Sequence, residues 1–243
     1  MLFMHLCTLV LKILTLPLQL AELVGLYKLY KRVFPFMLYR ITFNYNLKMN
    51  EHKRELFRSL QKFRPSNGEL RILEIGCGTG ANFEYYPAGC KIVCTDPNPH
   101  FKTYLQKNMT KNDHLVYDTF VVATGEDLRG VPNESVDVVV VTLVLCSVGD
   151  IGVVLQEAKR VLRPGGGFFF MEHVCADPST WTFFFQHVMQ PLWYYCGDGC
   201  EITRTTWECI ENAGFSQINL RHIQAPVPAH SLIQPHIVGY AIK

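Results

Sequence analysis

The chain has 243 residues, 49 % of them hydrophobic and 18 % charged, with a formal net charge of +2 at pH 7. Soluble domains carry roughly 25 % charged residues, so part of this chain is unusually apolar; its length suits one α/β domain of about 200 residues with an appendage and excludes two catalytic domains. So small a net charge excludes the broad basic field that nucleic-acid binding needs, and nine cysteines without a C-x-x-C point to reduced thiols facing the cytosol, not a disulfide framework.

Residues 1–27 carry only Lys12 and Glu22 as charged side chains amid many leucines. A helix of this length would extend about 40 Å against a hydrocarbon core of about 30 Å. Pro17 predicts a kink and Lys12 has to lie near an interface, so a spanning helix and a bent monotopic anchor both satisfy the pattern. A cleaved signal has a basic start; here Lys28, Lys31, Arg32 and Arg40 follow the apolar run instead, which by the positive-inside rule leaves the remainder in the cytosol. Residues 27–50 mix Tyr and Phe with Lys and Arg around Pro35, as an interfacial segment or an amphipathic linker does. Leu56, Phe57, Leu60 and Phe63 recur at helical period, predicting a lead-in helix over 51–63 that Pro65, Asn67 and Gly68 end. The organisation is therefore a hydrophobic anchor over 1–27, an interfacial and lead-in helical segment over 28–67, and a globular domain over 68–243.

Within that domain the pattern predicts strands over 71–75, 91–95, 120–123, 136–145 and 167–171, with helices over 81–86, 100–109 and 151–162 between them. On the last helix Val153, Val154, Leu155, Ala158, Val161 and Leu162 form the inward set. Residues 177–193 are dense in aromatics, including Trp181, Phe183, Phe184, Phe185 and Trp193, and suit an apolar lid over a pocket or plain core. A helix over 205–213 stopped by Gly214 and strands over 217–222 and 236–242 complete the chain. Apolar strands separated by helices define an α/β fold, a doubly wound, mostly parallel sheet of seven strands.

The first strand runs into Glu74-Ile75-Gly76-Cys77-Gly78-Thr79-Gly80. Such a loop lets a ligand approach the backbone at the start of a helix. It lacks the Gly-Lys-Ser/Thr of a Walker loop, and its G-x-G-x-G differs from the dinucleotide G-x-G-x-x-G. Asp96 stands at the end of the second strand about 20 positions further on, where a carboxylate can accept both hydroxyls of a ribose.

Residues 73–80, Asp96, Gly125-Glu126-Asp127-Leu128 and Arg160-Val161-Leu162-Arg163-Pro164-Gly165-Gly166 together resemble the motif series of class I S-adenosylmethionine-dependent methyltransferases. The resemblance implies S-adenosylmethionine as cofactor, with Gly76, Gly78 and Gly80 under its methionine part, Asp96 on its ribose and Glu126 or Asp127 at its adenine amino group. It also implies Glu74, Cys77, Pro97, Asn98 and Leu143 as further cofactor-site residues. More narrowly, the leucine-rich start, Lys53-Arg54-Glu55-Leu56-Phe57, the stretch from Asp96 to Phe101, the stretch from Thr142 to Val148 and Gly197-Asp198-Gly199-Cys200 are similar to the membrane-associated methyltransferase-like 7 group. That similarity implies S-methylation of small lipophilic alkyl thiols at the endoplasmic reticulum membrane, with the catalytic domain facing the cytosol and association with lipid droplets.

Methyl transfer from a sulfonium mainly needs alignment and exclusion of water. A free thiol is a few per cent thiolate at neutral pH and an alcohol is not, so a site poor in bases favours sulfur. His173, at the end of the fifth strand, is a candidate catalytic base for a thiol proton or else a histidine that orients a loop; Asp198 is a second catalytic candidate or a turn former. Cys146 and Cys200 read as small buried hydrophobes, and Cys90-x-x-x-Cys94 and Cys196-x-x-x-Cys200 lack matching histidines, so no metal is expected. No Asp/Asp/Asn set offers a Mg²⁺ cluster, and the fourth strand lacks the Asn/Asp-Pro-Pro-aromatic of base methylation, so nucleic acid is not an expected partner. Two other readings share the sequence: an O- or N-methyltransferase of a membrane lipid or quinone-like acceptor, and a non-enzymatic protein recruited to lipid droplets or membranes.

Overall fold

The structure is a computed structural model that describes residues 2–66, 68–228 and 231–243. Its strands are β1 (Arg71–Ile75), β2 (Lys91–Thr95), β3 (Val116–Val121), β4 (Val136–Thr142), β5 (Leu162–His173), β6 (Gln217–Gln224) and β7 (Pro235–Ile242). They form one sheet in the order β3-β2-β1-β4-β5-β7-β6. β1 to β5 pair in parallel, and β7 enters antiparallel between β5 and β6.

Side chains alternate across a strand, so a sheet covered on both faces needs apolar residues at every position. β4 shows why its valine run is unbroken: Val139 and Val141 enter one core with Leu73, Phe168 and Phe170. Val138 and Val140 enter the other with Ile72, Phe169 and Met171. The first core is closed by α5 (Ile151–Val161), whose Asp150 caps it by accepting from Val153 N–H, and α7 (Thr206–Glu211) packs Ile210 there. Val153 itself is 37 % exposed, so the inward set is narrower than the periodicity implied. The second core is closed by α3 (Tyr27–Arg58), through Met49, Leu56 and Phe57.

Residues 27–63 are where the structure departs most from the sequence reading. The expected interfacial stretch and lead-in helix are a single 32-residue helix, α3, continued by a 3-10 turn over Ser59–Phe63. Pro35 lies inside it without ending it. Packing of one face on the domain outweighs the local cost of proline. Asn67, read as one of the residues ending this segment, lies outside the described residues.

Ahead of it, α1 (Leu2–Leu14) and α2 (Leu16–Leu23) are bent by 44° at Thr15, next to Pro17. No single helix among the described residues is long and apolar enough to cross a membrane; the bent pair passes that test by length and composition. α1 lies along α6 (Trp181–Cys196), where Phe3 stacks on Phe184 at 6.0 Å and Thr8 Oγ1 donates to His187 O at 3.2 Å. The aromatic segment is thus a helix with a second helix on it, while Trp181 stays 70 % exposed.

Smaller corrections have local causes. β3 starts at Val116, ahead of the expected 120, because its first four residues are exposed on the sheet edge and Asp118 and Thr119 interrupt the apolar run. β4 stops at Thr142, since Leu143 turns the chain at φ 58°. β5 extends over twelve residues because Arg163-Pro164-Gly165-Gly166 continues as strand. The expected helix over 81–86 is a 3-10 turn at Phe83–Tyr85, and that over 100–109 is a 3-10 turn leading into α4 (Lys102–Met109).

Candidate active site

The glycine loop, Asp96, Leu143 and His173 stand at the carboxyl ends of β1, β2, β4 and β5, where ligands of open α/β sheets bind. Two separately built parts meet there.

The first is the glycine loop. Gly76 has φ 62°, and a Cβ there would lie 2.4 Å from Val144 Cγ2, so only glycine lets β1 and the turn after β4 approach this closely. A Cβ on Gly78 would meet Leu38 Cδ2 at 3.6 Å and Phe101 Cε1 at 3.8 Å, which leaves a bare backbone cradle under α3. Asp96 braces the loop by accepting from Gly78 N–H at 3.0 Å and from Asn98 N–H at 2.8 Å. Burial, with a smaller push from the nearby Asp198 carboxylate, raises the Asp96 carboxyl to about 6 against those two N–H donors and Lys31. Each Asp96 oxygen retains lone-pair capacity for a ligand hydroxyl.

Beneath the loop, Glu74 accepts from Asn82 Nδ2 at 2.7 Å and from Tyr86 Oη at 2.8 Å. Lys53 Nζ donates from α3 to Asn46 Oδ1 and Asn82 Oδ1, both at 2.8 Å. Burial pushes Glu74 up to about 7 and Lys53 down to about 8. Glu74, expected to meet the cofactor, is therefore committed to supporting the loop from below. Cys77 is buried, its N–H donating to Thr95 O, and Asn98 uses its side chain to donate to Lys31 O at 2.7 Å and to accept from His100 N–H. Leu143 N–H donates to Met171 O at 2.8 Å.

Beyond Asp96, a cleft of about 440 Å³ is lined by Pro97, Ala123, Thr124, Asp127 and Arg129, among others. Of the two acids expected near adenine, Asp127 is on this cleft, held below the usual carboxylate range by hydrogen bonds from Arg129. Glu126 turns to the loop before α5, accepting from Gly149 N–H at 2.7 Å. The cradle, the buried carboxylate and this cleft fit S-adenosylmethionine: backbone for the methionine part, Asp96 for ribose hydroxyls, the cleft for a purine.

The second part was missed by sequence reasoning as an assembly. Cys146, in the turn after β4, His173, at the end of β5, and Cys200, after α6, come together. Cys146 Sγ and Cys200 Sγ are 3.2 Å apart, and Cys200 Sγ is 3.7 Å from His173 Nδ1. The Cys146 thiol beside it, helped by the His173 ring, holds Cys200 below the usual thiol range, while the same contact and burial push Cys146 up. His173 packs edge-on to His236, ring centres 4.7 Å apart, and among the described residues its buried Nε2 has no hydrogen-bond partner. His236 is kept neutral by burial, its pKa pushed down to about 3, and accepts at Nε2 from Tyr45 Oη of α3 at 2.8 Å. Only a signal of type, Cys or His beyond a strand end, marked these three in the sequence. Spacing could not pair them, since they lie on three separate segments. Asp198, the other catalytic candidate, stands at φ 50° in the turn after α6, 3.5 Å from Lys31 Nζ, tying that turn to α3.

A sequence profile described as a methyltransferase domain matches residues 73–170. Among solved structures, geranyl diphosphate methyltransferase in complex with GPP and sinefungin superposes with a TM-score of 0.57 at 14 % identity, covering 79 % of this chain and 77 % of that one. A S-adenosylmethionine-dependent methyltransferase of Thermotoga maritima, described as a possible histamine N-methyltransferase, does so with 0.54 at 19 % identity, covering 86 % and 98 %. These likenesses show the fold. Sheet order, glycine loop and the acid after β2 define the chain as a class I S-adenosylmethionine-dependent methyltransferase, an enzyme. Thiol S-methyltransferase TMT1A of Homo sapiens is 53 % identical over 213 residues, 88 % of this chain and 87 % of that protein. Thiol S-methyltransferase TMT1B of Homo sapiens is 49 % identical over 233 residues, 95 % of each. The chain belongs to this thiol S-methyltransferase family.

Proposed function

We propose that the chain methylates the sulfur of small lipophilic thiols while held at a membrane surface. The observation that carries the first half is the 53 % identity over 88 % of the chain to a protein named for thiol S-methylation. Bound S-adenosylmethionine supplies an electrophilic methyl group on a sulfonium. Asp96 and the Gly76–Gly80 backbone hold that donor, and Asp127 and Thr124 border the place for its purine. The acceptor side offers sulfur and imidazole in a buried setting: Cys146, His173 and Cys200, with Glu172 spending its carboxylate on the Val144 and Cys146 N–H groups. Excluding water there lets a soft nucleophile react without hydration.

The membrane half rests on α1 and α2, where Leu2, Phe3, Leu20 and Leu23 are 86 %, 69 %, 60 % and 81 % exposed. Such a leucine face suits a bent anchor lying in one leaflet, the basic residues after it meeting headgroups. Endoplasmic reticulum and lipid-droplet surfaces, with the domain in the cytosol, are the locations this reading entails.

Full-length protein incubated with methyl-labelled donor and a shape-matched series of alkyl thiols, alcohols and amines tests the chemistry. Thiols should be methylated at least tenfold faster, as their thiolate fraction implies; faster turnover of an alcohol or amine would overturn the reading. Removing residues 2–23 should release the protein from membranes with donor binding retained. Sedimentation with membranes after an alkaline wash would place the anchor elsewhere.

A further inference from the structure

Two buried thiols and a buried imidazole meeting at one point is the donor set of a thiophilic metal ion. The three ligand atoms of Cys146, His173 and Cys200 all lie within 4.8 Å of one another. A tetrahedral zinc ion, with Zn–S of about 2.3 Å and Zn–N of about 2.0 Å, sets its sulfurs about 3.8 Å apart and sulfur from nitrogen about 3.5 Å. The observed Sγ–Sγ distance is 3.2 Å and the Sγ–Nδ1 distance 3.7 Å. To admit the ion the sulfurs need to part by about half an ångström, and Cys146 Sγ and the His173 ring, within 4.8 Å of each other, need to settle at about 3.5 Å.

The backbone beneath the ligands is braced as a metal site's outer layer is. Glu201 N–H donates to Cys146 O at 2.7 Å, joining the two cysteine segments directly. Gln190 on α6 donates to Cys200 O at 3.1 Å and accepts from Ile202 N–H at 2.9 Å. Arg204 donates to Leu145 O at 2.9 Å and Val148 O at 2.7 Å, clamping the turn that carries Cys146. Glu172 receives the N–H groups of Val144 and Cys146 from the other side.

We infer that Cys146, His173 and Cys200 form a three-ligand zinc site whose fourth position takes the thiolate of the substrate. This rests on the thiol reading above and says how the site selects sulfur. Two cysteine thiolates neutralise the ion's two charges, so it can be buried without an uncompensated charge. Two Cys and one His with an open position is the catalytic pattern of zinc, whereas structural sites use four protein ligands. Each thiol that becomes a ligand releases one proton to solvent and no electrons move. The substrate is thereby held as the anion at a pH where it is only a few per cent ionised when free. A soft ligand set favours sulfur over the oxygen or nitrogen of a shape-matched acceptor.

The test uses the full-length protein in detergent, dialysed against a chelator under reductant and titrated with Co²⁺ alone. One equivalent should bind and give thiolate-to-cobalt charge-transfer absorption, which Zn²⁺ then abolishes. Cys146→Ser/Cys200→Ser and, separately, His173→Ala should weaken cobalt binding by more than about tenfold. Cys209→Ser, at an exposed cysteine, should leave it unchanged. S-adenosylhomocysteine binding by each variant verifies folding independently of the metal. Butanethiol added to the cobalt form should shift the charge-transfer band. No charge-transfer band, or equal cobalt binding by the double serine variant, would overturn the site, and a band indifferent to butanethiol would overturn its open position. Metal-free protein that methylates butanethiol at full rate defeats this inference and leaves the thiol reading standing. Cobalt-binding protein that methylates only alcohols or amines defeats the thiol reading and leaves the metal ligands standing.

Discussion

At the β1–β2 end of the sheet the groups that face a ligand come from one continuous run, residues 76–80, and one acid after the next strand. At the β4–β5 end the converging side chains come from residues 146, 173 and 200, on three segments joined only by tertiary hydrogen bonds. The first end is set by local backbone geometry. The second depends on the placement of α6 and its following turn. Substitutions at the two ends should therefore separate donor binding from acceptor handling.

The largest effect is expected for Asp96→Ala, which removes a charged acceptor for ligand hydroxyls and leaves the Gly78 and Asn98 N–H groups unpaired. Donor affinity should fall by about 2–4 kcal/mol in calorimetry. Unchanged affinity in a folded variant would move the ribose elsewhere. Next, Gly76→Ala sets a Cβ against Val144 Cγ2 at 2.4 Å with φ at 62°, and thermal unfolding should show about 1–3 kcal/mol of destabilisation. Because Val144 is two residues from Cys146, this variant alone should disturb both ends.

Gln190→Ala strands the Cys200 carbonyl and the Ile202 N–H, and should cost about 1–2 kcal/mol of stability. It should lower turnover while donor affinity stays as it was. A matching loss of donor affinity would erase the separation between the two ends. The smallest effect comes from pH. Asp96 has its carboxyl raised from 3.8 to about 6 by burial. A group raised in the folded state is protonated sooner as pH falls, so the acceptor of ribose hydroxyls is lost below pH 6. Donor affinity should be flat above about pH 7 and decline by up to about tenfold per unit below 6. With Asp96→Asn that dependence should vanish. The same raised carboxyl makes ionised Asp96 a cost to folding, one that is relieved as pH falls through 6.

The glycine loop, the acid after β2 and the strands themselves were legible in the sequence because each is a local demand. A backbone at φ 62° calls for glycine, and a strand covered on both faces calls for an unbroken apolar run such as Val138 to Val141. α3 was less legible: Pro35 and mixed charge obscured a continuous helix, and what keeps it together is the burial of Met49, Leu56 and Phe57 on the sheet. Contacts hundreds of atoms away along the chain, such as Asn98 Nδ2 to Lys31 O, then make that helix a cover for the cofactor loop.

The sequence by itself determined the sheet, the donor cradle and the leucine-rich start, because backbone conformation and hydrophobic period act between near neighbours. Only the tertiary structure decided that Glu74 supports the loop from below, that α1 lies on α6, and that Cys146, His173 and Cys200 converge. Those outcomes depend on which strand ends are adjacent in space. That adjacency follows from the sheet order β3-β2-β1-β4-β5-β7-β6, which no spacing along the chain encodes.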